Sequence, residues 1–141
     1  MSIPDRFSTA FNRRDLDALL ELFTESATYH DLFYGEHSYH AGLRAMFERM
    51  FREGRDHAWK MDVILESPQH AVAEWTFSFT VSDAVPRSAG RKLRLRGMSI
   101  FELQDGKIRA YREYFDKGAT LVQLGFRPDS LARVLSRQPS A

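Results

Sequence analysis

The dominant spacing of apolar residues changes at Gly54 from helical to alternating, and no other feature constrains the fold of this chain as tightly. Before that point the period is helical. Ile3, Phe7, Ala10 and Phe11 fall at i, i+4, i+7 and i+8, one stripe of a helix. Ser2, with Asp5 three residues on and Pro4 in the first turn, makes a start signal close to a capping box. Asp15 is placed to cap a second helix carrying Leu16, Leu19, Leu20 and Phe23. A third stripe of Leu43, Met46, Phe47, Met50 and Phe51 stops at Gly54. Between the last two, Ala27 to Tyr34 alternates enough to predict a short strand, and residues 35–38 read as a loop.

After Gly54 the period is 2. Trp59, Met61, Val63 and Leu65 predict one face of a strand. Beyond the Ser67-Pro68-Gln69 turn, Ala71, Ala73, Trp75, Phe77, Phe79 and Val81 predict a second. Strands from about Lys92 to Leu103 and from about Lys107 to Phe115 flank the hairpin signal Asp105-Gly106. Residues 118–124 and 128–137 predict two short closing helices, and residues 138–141 a frayed tail. Helices first and antiparallel strands afterwards define an α+β chain. A curved sheet with helices on one face has an open end, where a cavity can form.

The 141 residues fit one domain, 1–141, without an internal repeat or linker. Twenty Lys and Arg against 19 Asp and Glu leave a net charge of +1, so neither a nucleic acid nor an anionic membrane is an expected partner. The absence of cysteine excludes disulfides, thiolate metal sites and cysteine nucleophiles. No apolar run approaches the roughly 20 residues of a membrane span, and Met1-Ser2-Ile3-Pro4-Asp5 lacks the pattern of a signal peptide. A cytoplasmic protein is the expectation. Phe, Tyr and Trp make 13% of the chain, enough either to fill a core or to line an apolar cavity.

The order helix, helix, short strand, helix, four long strands resembles the nuclear transport factor 2-like superfamily, specifically its SnoaL-like and ketosteroid isomerase-like branch. The resemblance rests on Phe11-Asn12-Arg13-Arg14-Asp15-Leu16-Asp17-Ala18-Leu19, on Ala27-Thr28-Tyr29-His30-Asp31, and on Asp105-Gly106-Lys107-Ile108 leading to Tyr111-Arg112-Glu113-Tyr114-Phe115-Asp116. Leu121-Val122-Gln123-Leu124-Gly125 adds to it. It covers residues from about 3 to 125, leaving 126–141 as a C-terminal helix and tail. It implies a cystatin-like cone with a pocket between sheet and helices, no obligatory metal or organic cofactor, and a homodimer formed through the outer face of the sheet.

The polar sets of the branch separate its reactions. Asp31 resembles the general base of ketosteroid isomerases, but Phe7 and Ser99 stand where that family places its two oxyanion donors, and Phe7 donates nothing. Tyr29, Asp31 and Glu113 resemble part of the limonene-epoxide hydrolase set, while Trp75 and Phe77 replace its Arg-x-Asp pair. Dehydratases of the scytalone type want inward histidines on middle strands, and His57 and His70 lie near strand ends. SnoaL-like cyclases ask least: an acidic acid/base residue in an apolar pocket.

Asp31, Glu113 and Tyr29 are therefore the candidate catalytic residues. Asp31 shares a strand face with Tyr29, and burial among rings raises a carboxyl pKa; a solvated strand-end carboxylate is the alternative. Glu113 shares a face with Tyr111 and Phe115, where a carboxyl is costly unless paired or protonated; the opposite face would put it in water. Tyr29 either orients a substrate oxygen or packs. Trp75, Phe77, Phe79, Ser99, Phe101, Tyr111 and Phe115 are the candidate substrate-binding residues. They suit a flat or polycyclic ligand, or else fill the core. His30-Asp31 and His37-x-x-His40 lack the context of a metal site. Arg87, Arg91, Lys92, Arg94 and Arg96 read as a solvated strand edge. The expected function is cofactor-free acid/base chemistry (cyclase, isomerase or lyase) on a small apolar carbonyl compound. The alternative is a non-catalytic domain binding a hydrophobic ligand or a protein partner.

Overall fold

The computed structural model describes residues 1–137, and the expected tail at 138–141 lies outside them. Two helices, α1 (Ile3–Asn12) and α2 (Leu16–Glu21), lead into strand β1 (Phe23–Asp31), a short β2 (Gly35–Ser38) and helix α3 (Tyr39–Glu53). Four strands follow, β3 (Gly54–Glu66), β4 (His70–Val81), β5 (Lys92–Gln104) and β6 (Lys107–Phe115), and then α4 (Lys117–Gln123) and α5 (Pro128–Leu135). The sheet order is β2-β1-β6-β5-β4-β3. Every pairing is antiparallel except β1 with β6. The result is the α+β cone: an unclosed, curved sheet wrapped around the N-terminal helices. No described helix is long and apolar enough to cross a membrane.

Local chemistry sets these elements. The Ser2 hydroxyl accepts from the Asp5 N–H at 3.2 Å and donates to the Asp5 carboxylate at 2.8 Å, so the start signal of α1 is satisfied in both directions. Asp15 and Asp116 cap α2 and α4 in the same manner, each accepting from the N–H three residues on. Asp105 and Gly106 both adopt positive φ, 51° and 77°, the pair that a two-residue hairpin turn requires.

The sequence reading is corrected at three places. Residues 35–38 are a strand, not a loop, because Gly35 at φ 84° reverses the chain and lets β2 pair back on β1. Phe23 opens β1 instead of closing α2, and is fully buried there. In β3 the register shifts between Met61 and Val63, so a bulge exchanges the two faces. Ile64 then packs on the core, while Val63 and Leu65 are exposed.

The narrow end of the cone is filled with rings. Phe7 of α1 lies 5.5 Å from Tyr111, 5.7 Å from Phe101, 5.0 Å from Trp59 and 6.3 Å from Phe23. Phe11 and Phe47 complete this layer, and none of them is exposed. Asn12 at the end of α1 holds the edge strand: its amide donates to the Trp59 carbonyl at 3.0 Å and accepts the Trp59 N–H at 2.8 Å. The side chain thus substitutes for a neighbouring strand.

Trp75 sits directly across β5 from Gly97 in register. A Cβ at Gly97 would lie 2.6 Å from the indole and 2.6 Å from the Tyr114 carbonyl oxygen. Gly97→Ala is therefore expected to cost about 1–3 kcal/mol, as over-packing does, measured as a lowered urea midpoint with an unchanged slope.

Candidate active site

A cavity of about 140 Å³ occupies the open end of the cone. Its walls are Trp59, Trp75, Phe77, Phe79, Leu93, Leu95 and Phe115 from the sheet, with Met50, Thr120 and Leu124 from α3 and the α4 region. Asp31 and Glu113 lie together on it, from the adjacent strands β1 and β6. Glu53, Tyr34 and His57 supply its other polar surface. Among the described residues, no Lys or Arg lines it.

Both acids are buried, Asp31 at 3% and Glu113 at 5% exposure. Asp31 ends β1, and its Oδ1 accepts the N–H groups of Phe33 at 2.7 Å and Tyr34 at 2.8 Å, so the turn after the strand solvates one carboxylate oxygen. Burial still raises its pKa, against the pull of those two N–H bonds. Glu113 is raised well above the ordinary value, by burial first and by the neighbouring Asp31 charge second. It receives one strong donor, the Tyr111 hydroxyl at 2.8 Å on Oε1, and a long 3.4 Å contact from the Leu32 N–H on Oε2. Two carboxyls this close in a dry site do not both ionise, and the one with two short backbone donors keeps the charge. The local donors favour the charge on Asp31 and the proton on Glu113.

Six of the ten candidate residues line the cavity: Asp31, Glu113, Trp75, Phe77, Phe79 and Phe115. The other four do not, because the narrow end of the cone is solid. Tyr29 stacks on Tyr111 at 4.1 Å in the filled layer, and among the described residues its hydroxyl has no hydrogen-bond partner. Phe101 packs edge-on against Tyr111 at 5.1 Å. Ser99 and Tyr111 stand behind Glu113, with Ser99 Oγ 2.7 Å from the Tyr111 hydroxyl and 2.7 Å from Trp75 Nε1. Tyr29, expected to orient substrate, and Phe101, Ser99 and Tyr111, expected in the wall, thus lie outside the cavity lining.

His57, Tyr34 and Glu53 line the cavity without having been singled out as site residues. His57 shares parity with Trp59, so extending the strand alternation one step upstream would have turned it inward. A bulge between Arg55 and Ala58, with Asp56 at φ 54°, carries it there. It stacks against Phe77 at 5.9 Å and Phe79 at 5.5 Å, and burial, with Arg14 alongside, lowers its pKa to about 4. It is a neutral wall residue at physiological pH. Tyr34 donates to Glu53 at 2.9 Å across the turn after β1 and the end of α3, and Arg49 also bonds Glu53 at 3.1 Å. Among the described residues, no group of three or more His, Asp or Glu is arranged to hold a metal ion.

Fold and site together define a cone-shaped domain with an acid pair in an apolar cavity. The family model for the SnoaL-like domain matches residues 5–111, and the chain belongs to that family. A search of the curated proteins finds no match. Among solved structures, a protein of ketosteroid isomerase-like fold from Catenulispora acidiphila, in complex with trimethylamine, superposes with a TM-score of 0.78 at 16% identity, over 90% of this chain and 95% of that one. A polyketide cyclase candidate from Xanthomonas campestris superposes at 0.77 with 20% identity, over 86% and 93%. An LEH-like epoxide hydrolase from M. tuberculosis superposes at 0.71 with 16% identity, over 96% and 94%. At these identities the likeness is one of fold.

A buried acid leaves a thermodynamic mark. Between the ordinary glutamate pKa and its own raised one, Glu113 holds a proton that the unfolded chain has released. The native state binds more protons there, so this residue's contribution to stability falls as pH rises. Glu113→Gln mimics the neutral acid and lacks that slope. Its stability relative to wild type is expected to grow from about pH 4.5 towards pH 8, by at most about 1.4 kcal/mol per pH unit, followed by denaturant unfolding across that range.

Proposed function

We propose that this SnoaL-like domain is an acid/base enzyme that moves a proton alpha to the carbonyl of a small apolar compound. The observation that carries the reading is the pair Asp31 and Glu113, buried side by side on an apolar cavity with no cation in its lining. An unpaired buried acid pair is costly to keep, and its environments divide the two groups into a base and an acid. In the proposed step Asp31 takes the proton from the alpha carbon as Glu113 gives its own to the carbonyl oxygen. An enol forms, Asp31 becomes the acid and Glu113 the carboxylate. Return of a proton from Asp31 to carbon, at the same or a conjugated position, and from the enol oxygen to Glu113 restores both. The same exchange serves an isomerisation, an intramolecular aldol closure or an elimination.

The volume narrows the substrate. An apolar cavity of about 150 Å³ accommodates benzene, so a site of about 140 Å³ suits one ring with short substituents. A polycyclic ligand would have to extend through the open end of the cone. A ring seated among them stacks on flat walls.

The test uses single-ring ketones in D₂O, with alpha-proton exchange read by NMR. Wild type is expected to accelerate exchange of at least one member of a cyclohexanone and cyclohexenone panel. Asp31→Asn is expected to lose about 100-fold or more of that rate with its melting temperature little changed. Saturable binding without exchange would be the behaviour of a carrier and would overturn the catalytic reading.

We propose further that the protein pairs through the outer face of the sheet. Val63, Met98 and Tyr114, exposed apolar side chains, fall in one cross-strand row with Glu74 between, and Leu65 lies beside them. Met98→Glu is expected to convert a dimer to a monomer in size-exclusion chromatography with light scattering, leaving ligand binding in the cavity intact. A wild-type monomer would refute the pairing.

A further inference from the structure

Behind Glu113 runs a line of three hydrogen bonds with one favoured direction. Trp75 Nε1 lies 2.7 Å from Ser99 Oγ, Ser99 Oγ lies 2.7 Å from the Tyr111 hydroxyl, and that hydroxyl lies 2.8 Å from Glu113 Oε1. An indole nitrogen only donates. Ser99 must therefore accept from Trp75, and its own hydrogen is left for Tyr111, the remaining partner of its hydroxyl. Tyr111, accepting from Ser99, has its hydrogen for Glu113. Reversing the line would leave the Ser99 hydrogen without an acceptor in a fully buried position, which costs about 1–3 kcal/mol. The three residues come from β4, β5 and β6, and Ser99 pairs in register with both Ala73 and Glu113.

We infer that Trp75, Ser99 and Tyr111 are positioning residues that fix the acidic proton of Glu113 on Oε2 and make that proton easier to release. Oε1, taking the Tyr111 hydrogen, is the carbonyl oxygen of the acid; the hydroxyl is then Oε2, the oxygen near the Leu32 N–H. As the proton leaves for substrate, negative charge on Glu113 strengthens the Tyr111 bond, and aligned donors behind it strengthen one another. Apart from the long Leu32 N–H contact, the groups facing Glu113 resist its ionisation: the Asp31 carboxylate on β1 and the buried surroundings, with no Lys or Arg among the described residues lining the cavity. The line thus partly offsets a site that would hold the proton too tightly. The inference rests on reading Glu113 as the acid, and it gives buried Ser99 and Tyr111 a role that cavity lining does not.

The experiment follows Glu113 itself, without substrate. Its side-chain carboxyl is titrated by ¹³C NMR in wild type, Tyr111→Phe, Ser99→Ala and Trp75→Phe. The infrared carbonyl stretch of the protonated acid is assigned by difference from Glu113→Gln. The expected result is an upward shift of the midpoint and of the stretch in all three variants. It should be largest for Tyr111→Phe, about one pH unit or more, and smallest for Trp75→Phe. Ser99→Cys, which keeps the volume and weakens the donor, is expected to fall between wild type and Ser99→Ala. Where the midpoint lies above the accessible range, the ordering of the stretch decides. Variants that lose stability while the Glu113 signals stay in place would make the line merely structural and overturn the inference, as would a Glu113 ionised at neutral pH in wild type. Shifted signals together with unchanged ketone exchange in Glu113→Gln would support the line and remove the acid from the proposed reaction.

Discussion

Two carboxyl groups taken out of water beside each other, with no Lys or Arg among the described residues lining their cavity, are the constraint around which this molecule is arranged. Such a pair survives only if one member keeps its proton and the other is solvated by the protein. Every neighbour plays a part in that division. The turn after β1 offers Asp31 two short N–H bonds, while Glu113 receives one hydroxyl and a long amide contact. The apolar walls then act on both by exclusion of water, and the asymmetry becomes a difference in acidity.

The architecture explains where that pair can sit. The cone is packed solid at its narrow end by Phe7, Phe11, Phe23, Phe47 and Phe101, so space remains only towards the open end. The acids emerge where β1 and β6, the one parallel pair of the sheet, run side by side. Their strand mates further in, Tyr29 and Tyr111, stack on each other and close the floor beneath them.

Much of this was legible in the chain itself, and the reasons for success and failure are physical. The inward face of β4 is written in six alternating residues from Ala71 to Val81, and antiparallel pairing on both sides leaves no room for slippage. Asp31 and Glu113 could be named because a charged residue on a face otherwise apolar is an anomaly with few explanations. How deep the packed layer reaches was not legible: alternation says which way Tyr29 and Phe101 point, not whether rings from α1 and α3 meet them there. Nor was the β3 register, since each of its two bulges adds a residue by backbone geometry that no side-chain pattern announces. His57 reads in the sequence only as a histidine near a strand end, because the alternating pattern starts two residues later at Trp59.

The pair of hydrogen bonds between Asn12 and the backbone of Trp59 has a bearing on how copies of this protein meet. A long edge strand invites another chain to extend the sheet, and β3 is thirteen residues of such an edge. Where the asparagine occupies its donor and acceptor, and where the bulges twist it on either side, that template is interrupted. Lateral growth of one sheet into the next is thereby discouraged, and a single amide at the end of the first helix protects against fibrous association as well as holding the helix in place.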